Sequence, residues 1–302
     1  MKKVILLSKH VKFRMRNKIW QNFFAFWRVG VLCLILISPL VAQQKIAVLV
    51  PEKTSQSQIF TPKLKTVLAQ NFKILDDSLS EAAFSSVKYE SPFNLSLKEA
   101  KNLGAAVGCD YFLLLKAQSL RRFSFEKKEF YESFVAVYVV SSRTGRLVLW
   151  RLTSFEAENS ADAEKKLFES AKDLSAEISQ KLKVFKEELS TKDSENFVQL
   201  PDENSLEAKN FRPPLPYKRI RPEYTKIANL YSIEATVDIE ADIDENGKVA
   251  HSRIVRWAGF GLDESVTETV RRMNWRAAER SGKTLPMRVL LRYNFKKIDD
   301  EK

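Results

Sequence analysis

The sequence predicts an α+β fold in two domains, an N-terminal α/β sandwich-like domain followed by a C-terminal unit of ββαβ order. Three observations carry that expectation. From Ser232 to Asp244, apolar residues (Ile233, Ala235, Val237, Ile239, Ala241, Ile243) alternate with polar ones (Glu234, Thr236, Asp238, Glu240, Asp242). A period of two marks a strand with one face in a core and one in water. A second alternating run closes the chain, with Leu285, Met287, Val289, Leu291, Tyr293 and Phe295 on one face and Arg288, Arg292 and Lys296 on the other. Between residues 45 and 185, short apolar runs alternate with stretches of helical periodicity.

The chain opens on a basic segment. Residues 1–28 hold Lys2, Lys3, Lys9, Lys12, Arg14, Arg16, Lys18 and Arg28 and no acidic residue; without these eight the net charge of +12 falls to +4. Most of the basicity therefore lies outside the folded domains, and there is no electrostatic case for a nucleic-acid partner. Val29–Ala42 follows without a charge, shorter than the roughly 20 residues of a spanning helix. Residues 1–42 read as a secretory signal cleaved after Ala42, or as an uncleaved membrane anchor from about Ile19 to Val41, with either Met1 or Met15 as the start. Gly30-Val-Leu-Cys33 is a poor lipoprotein cleavage box. Loss of Cys33 with a signal would leave Cys109 as the single thiol and no intramolecular disulfide.

Residues 45–185 make the first expected domain. Lys45–Val50, ended by Pro51, reads as a buried strand. Residues 57–72 carry a helical stripe of Phe60, Leu64, Val67 and Leu68, and Phe72–Leu75 a second strand. A helix pattern over Leu97–Val107 leads into a third strand at Tyr111–Leu115. Phe130–Val140 and Arg146–Glu156 flank a turn in which Gly145 can take the left-handed position. Ala161–Phe185 repeats apolar residues at helical spacing (Leu167, Ala171, Leu174, Ile178, Leu182), as one long surface helix would. Residues 186–211 are polar, a linker composition. The mature length suffices for two separate cores.

In the C-terminal domain, 212–297, a Pro-rich lead-in precedes the first alternating strand. Asn246-Gly247 then favours the positive backbone angles of a two-residue hairpin turn. The helix from Leu262 to Trp275 has a core stripe of Leu262, Val266, Val270 and Met273, an outward Glu268–Arg272 pair, and Trp275 closing the core. Residues 209–297 hold eighteen basic and eleven acidic residues, a net +7 that suits acidic partners.

The residues Pro222-Glu-Tyr224-Thr225, Ala235-Thr-Val237, Asp244-Glu-Asn-Gly247, Leu262-Asp263, Trp275-Arg-Ala-Ala278 and Gly282 follow one another in the order of a known family. The stretch resembles the C-terminal domain of TonB-type energy transducers, with three departures: Thr225 and Ala277 stand where the family has Pro, and Ala235 where it has Gly. The resemblance implies a domain that binds a short segment of an outer-membrane transporter on its last strand. More distantly, Ile46-Ala-Val-Leu49, the Leu103-Gly104 to Gly108-Cys-Asp-Tyr111 passage and Thr144-Gly-Arg-Leu-Val148 resemble the envelope α/β domain of the curli-secretion protein CsgG and of TolB-like N-terminal domains. That resemblance implies a non-catalytic recognition or assembly module.

Catalysis and cofactors are not expected. The histidines are His10 and His251, no Cys or His pair has zinc spacing, and no phosphate loop, dinucleotide-binding turn or nucleophile elbow occurs. Trp257-Ala-Gly-Phe-Gly261 reads as a loop that allows close packing. The expected function is a periplasmic TonB-like protein-binding module linked to transport across the outer membrane of a Gram-negative-type bacterium. It would add a partner segment to the last strand through Pro286, Arg288, Leu290, Arg292, Asn294 and Lys296, the arginines and lysine drawing acidic neighbours. The alternative is an envelope structural or assembly factor docking to peptidoglycan or outer-membrane proteins. Candidate partners are thus an outer-membrane transporter or other envelope protein, inner-membrane motor proteins, peptidoglycan, and a second copy of the chain in a homodimer.

Overall fold

A computed structural model describes residues 43–125, 128–188 and 210–297. The expected signal or anchor and most of the linker lie outside these residues. From Gln44 onward the chain makes one compact unit. Its N-terminal part is α/β: β1 (Lys45–Leu49), α1 (Ser55–Leu68), β2 (Lys73–Ile74), α2 (Asp77–Ser85), α3 (Leu97–Val107), β3 (Tyr111–Arg122), β4 (Phe130–Ser141), β5 (Leu147–Ala157), α4 (Ser160–Glu169) and α5 (Ala171–Glu188). The strands form one mixed sheet, β2-β1-β3-β4-β5, parallel across the first three and antiparallel from β3 to β5.

Two differences from the sequence reading have local causes. Helix α2 carries little apolar periodicity, with only Ser80 of its residues buried, and is started by Asp76, whose carboxylate accepts the Leu79 N–H. The long helix expected over Ala161–Phe185 is broken at Ser170. Its hydroxyl donates to the Leu167 carbonyl at 2.7 Å, a local bond that competes with helix continuation. The apolar stripe survives the break: Leu167, Ala171, Leu174, Ile178 and Leu182 join α1 against Ile46, Val48, Leu113, Val135 and Val137 on one sheet face.

The C-terminal part comprises β6 (Phe211–Arg212), β7 (Leu215–Pro216), α6 (Lys226–Leu230), β8 (Ala235–Ile243), β9 (Val249–Arg256), α7 (Leu262–Arg272), β10 (Trp275–Arg276), β11 (Ala278–Arg280), β12 (Lys283–Leu285) and β13 (Met287–Phe295). The order β13-β8-β9 makes an antiparallel sheet, and α7 covers its inner face through Leu262, Val266 and Val270. The Pro-rich lead-in pairs with the segment after α7, Pro216 opposite Trp275 and Arg212 opposite Glu279.

The β8–β9 turn is not the two-residue form. Only Gly247 has a positive φ (73°); Asn246 does not. The Asp244 carboxylate accepts N–H bonds from Asn246 (2.9 Å) and Lys248 (2.7 Å), which stabilises a wider turn and shifts the register at Ile243. A Cβ on Gly247 would lie 1.8 Å from the Trp275 carbonyl, so the position excludes every side chain. Arg272 also departs from expectation, its Nε donating to the Glu268 carbonyl at 3.3 Å rather than pairing with the carboxylate.

The expectation of two separate cores is corrected. The sheet face opposite α1 and α5 (Ala47, Leu49, Phe112, Leu114, Ala136, Tyr138, Val140) shares one apolar cluster with Val237, Ile239, Trp257, Phe260, Val266 and Trp275 of the C-terminal part. The physical reason lies in β3 and β4, which are buried on both faces and so need cover from two layers.

Candidate partner-binding edge

Strand β13 pairs with β8 in unbroken register from Met287↔Ile243 to Phe295↔Ala235. Its other side pairs with no strand among the described residues, so nine residues of backbone form a sheet edge. Met287, Val289 and Phe295 are buried on the inner face; Leu290 on the outer face is 59% exposed. Pro286 separates β12 from β13 and brings no N–H to the edge.

The outer face is an ionic ladder. Arg288 grips Asp242 with two hydrogen bonds (2.7 and 2.9 Å), and Arg292 grips Asp238 in the same way. Arg253 meets Glu240 at 2.6 Å, and Arg256 reaches both Asp238 (3.5 Å) and Glu99 (3.1 Å). Asp238 and Asp242 are each only 5% exposed beneath these guanidinium groups. The expected role of Arg288 and Arg292 as uncommitted attractors of acidic neighbours is therefore revised: their charge is largely spent on β8 carboxylates. Asn294 accepts from the Thr236 hydroxyl at 2.8 Å, and Lys296 is exposed just past the strand.

The motif residues brace this sheet. Pro222 is buried, and the Tyr224 hydroxyl donates to the carbonyls of Ile233 (2.9 Å) and Ala228 (3.2 Å) while its ring stacks over Phe295. Thr225, one of the departures from the family pattern, caps α6 and donates to the Phe260 carbonyl at 2.6 Å. Trp275 is buried, and Gly282 takes a positive φ of 80° in the β11–β12 turn. Leu262 opens α7 behind Gly261.

Asp263 accepts the N–H groups of Ala258 and Gly259, both at 2.9 Å, and so holds the Trp257–Gly261 loop. Burial pushes its carboxyl up to about 7 from 3.8, with those two N–H groups pulling the other way. A raised folded pKa means that the native state keeps a proton which the unfolded chain has released. Stability should thus fall as pH rises from about 4 to about 7 and then level off, by a few kcal/mol at most. Urea unfolding of wild type and Asp263→Asn across that window checks this, the variant losing that part of the slope.

Sequence reasoning missed the residues that join the two parts. The Asn94 carboxamide accepts the Thr236 N–H (2.9 Å) and donates to the carbonyls of Thr236 (2.8 Å) and Trp257 (2.6 Å), so it continues the β8 ladder where β9 ends. Trp257 donates from Nε1 to Gly145 and packs on Tyr138; Trp150 packs on Phe260. The loop does allow close packing as expected, a Cβ on Gly259 falling 2.4 Å from the Trp150 ring. The available signal was the pair of apolar runs Tyr111–Leu115 in β3 and Phe134–Val140 in β4, which lack the alternation of a strand with one face in water. Among the described residues no cluster of His, Cys, Asp or Glu could hold a metal ion, and no helix is long and apolar enough to cross a membrane.

Residues 220–296 match the family model of the Gram-negative bacterial TonB protein C-terminal. Solved structures to which the chain is similar include the Pseudomonas aeruginosa TonB C-terminal domain (16% identity, 36% of this chain and 100% of that chain, TM-score 0.26). Others are lipoprotein GNA1162 from Neisseria meningitidis (12%, 45% and 96%, TM-score 0.30) and the LpoB C-terminal domain from Salmonella enterica (15%, 41% and 91%, TM-score 0.26). No curated protein matches the chain in sequence.

Proposed function

We propose that this chain is a periplasmic protein-binding module of the Gram-negative cell envelope that captures an extended partner segment along the outer edge of β13, in support of transport across the outer membrane. The observation that carries the reading is the edge of a nine-residue strand, unpaired among the described residues, within the stretch that matches the TonB C-terminal family. Backbone pairing supplies affinity in strand addition, and side chains on alternate positions supply selectivity. With the arginines engaged by β8, selectivity rests on exposed Leu290, on Asn294 and on Lys296. A photoreactive residue at position 290, installed in cells, should give one discrete adduct with an envelope protein, and the same residue at exposed Ile59 should not. Adducts of equal yield at both positions, or none at 290, would sink the reading.

A second reading, an assembly factor whose α/β part recognises a partner while the C-terminal part docks to peptidoglycan or outer-membrane proteins, draws support from the shared core. The two parts make one body, so a partner on either would move both.

A further inference from the structure

The lead-in to β8 has a charge pattern unlike the rest of the C-terminal part. Residues 211–222 hold Arg212, Lys218, Arg219 and Arg221 and no acidic residue. The stretch that pairs with them, 271–278, adds Arg271, Arg272 and Arg276, again with no acidic residue. On the ionic ladder, by contrast, Arg253, Arg256, Arg288 and Arg292 each meet a carboxylate. Of the seven cations here, Arg212 alone forms an ion pair among the described residues, 3.8 Å from Glu279. Arg271 donates to the Ser252 hydroxyl, Arg272 to the Glu268 carbonyl and Arg276 to the Pro213 carbonyl, all uncharged oxygens. Lys218, Arg219 and Arg221 are fully on the surface.

Exposed apolar side chains stand among these cations. Leu215 of β7 lies opposite Arg276 of β10, and the Tyr217 N–H donates to the Asn274 carbonyl at 3.0 Å. Residues opposite each other, and residues two apart, share one face of such a ribbon. Leu215, Tyr217, Asn274 and Arg276 therefore lie together on its outer face, while Trp275 is buried on the inner one. Leu215 is 51% and Tyr217 75% exposed. The Lys248 ammonium donates to the Asn274 side chain at 2.6 Å and adds a further cation, and exposed Ile220 sits between Arg219 and Arg221.

The chemistry of this face selects among anionic partners. Pro213, Pro214 and Pro216 bring no N–H to β7, so it is a poor template for an extended peptide. A few apolar side chains, each beside a cation, suit the boundary layer of a bilayer, where phosphates meet the cations and acyl chains take the rest. We infer that the β7–β10 ribbon, with the residues up to Arg221, rests on the surface of a membrane that contains anionic phospholipid, Leu215 and Tyr217 reaching the base of the headgroups. The inference does not depend on a partner at β13, and its test contains none.

Residues 44–302, the compact unit without the basic N-terminal segment, are floated with vesicles of phosphatidylcholine or of equal parts phosphatidylcholine and phosphatidylglycerol. The protein should rise with the anionic vesicles and not with the neutral ones. Replacing Lys218, Arg219 and Arg221 together by Gln should weaken binding on the order of a hundredfold, about fivefold for each cation lost. Tyr217→Ser should weaken it roughly fivefold. Replacing exposed Lys165, Lys172 and Lys183 of α4 and α5 by Gln removes the same charge elsewhere and should leave binding as in wild type. Thermal melts establish that each variant is folded; if the first is not, Tyr217→Ser and the two vesicle types decide. Equal binding to both vesicle types, none to either, an equal loss in both triple variants, or wild-type binding by Tyr217→Ser would overturn the inference. Release by inorganic phosphate but not by chloride of equal ionic strength would mean a phosphate site, and polyglutamate binding as tightly as the anionic vesicles an acidic protein; either result also overturns it.

Discussion

Replacing Trp257 with alanine should destabilise the protein by about 3–5 kcal/mol, the range for removing a large buried aromatic side chain. Trp257 is 1% exposed in the shared core, and its indole N–H donates to the Gly145 carbonyl at 3.2 Å across the junction of the two parts. The variant would forfeit the ring's packing on Tyr138 and leave the Gly145 carbonyl without that donor. Because one apolar cluster runs through both parts, the wild type should unfold in urea as a single transition seen alike by fluorescence and circular dichroism. Two well-separated transitions in the wild type would contradict a common core. The same argument bears on experiments with isolated halves: cutting the chain near residue 200 would bare the apolar face of both, so loss of binding by a fragment would report unfolding.

Arg288→Glu should be nearly as damaging, at about 3 kcal/mol, the lower end for breaking a buried pair, because Arg288 keeps some contact with water. The new carboxylate would face Asp242, whose side chain is 8% exposed, with Glu240 also 3.9 Å from the Arg288 Nε. Charge reversal at this site therefore tests folding before it tests binding. Substituting both partners, Arg288→Met with Asp242→Leu, should recover most of the loss, since matched apolar groups leave no charge stranded. Denaturant titrations of the single and double variants check this. A single variant as stable as wild type would mean that the ladder carries no weight.

Much of the fold was legible. Alternation over Ile233–Ile243 and Met287–Phe295 placed both long strands of the C-terminal sheet with the right faces inward, because a one-residue slip would turn every apolar side chain to water. The stripe Leu262, Val266, Val270 and Met273 is buried as its spacing requires. Gly145 takes its left-handed turn position, φ 70°. What alternation could not show was how the polar face would be spent. Arg288 and Arg292 read as solvent residues, and only register places them opposite Asp242 and Asp238.

The sequence by itself determined the two long C-terminal strands with their faces, the buried stripe of α7 and the kinship of residues 220–296, since these rest on periodicity within one segment. The tertiary structure alone decided that a sheet buried on both faces draws the C-terminal part onto it, and that Asn94 extends the β8 ladder from 142 residues away. It also decided that Leu215 and Tyr217 share an outer face with Arg276. Contacts between residues so distant in the chain leave no periodic trace, because each side is satisfied by a surface that its own segment does not contain.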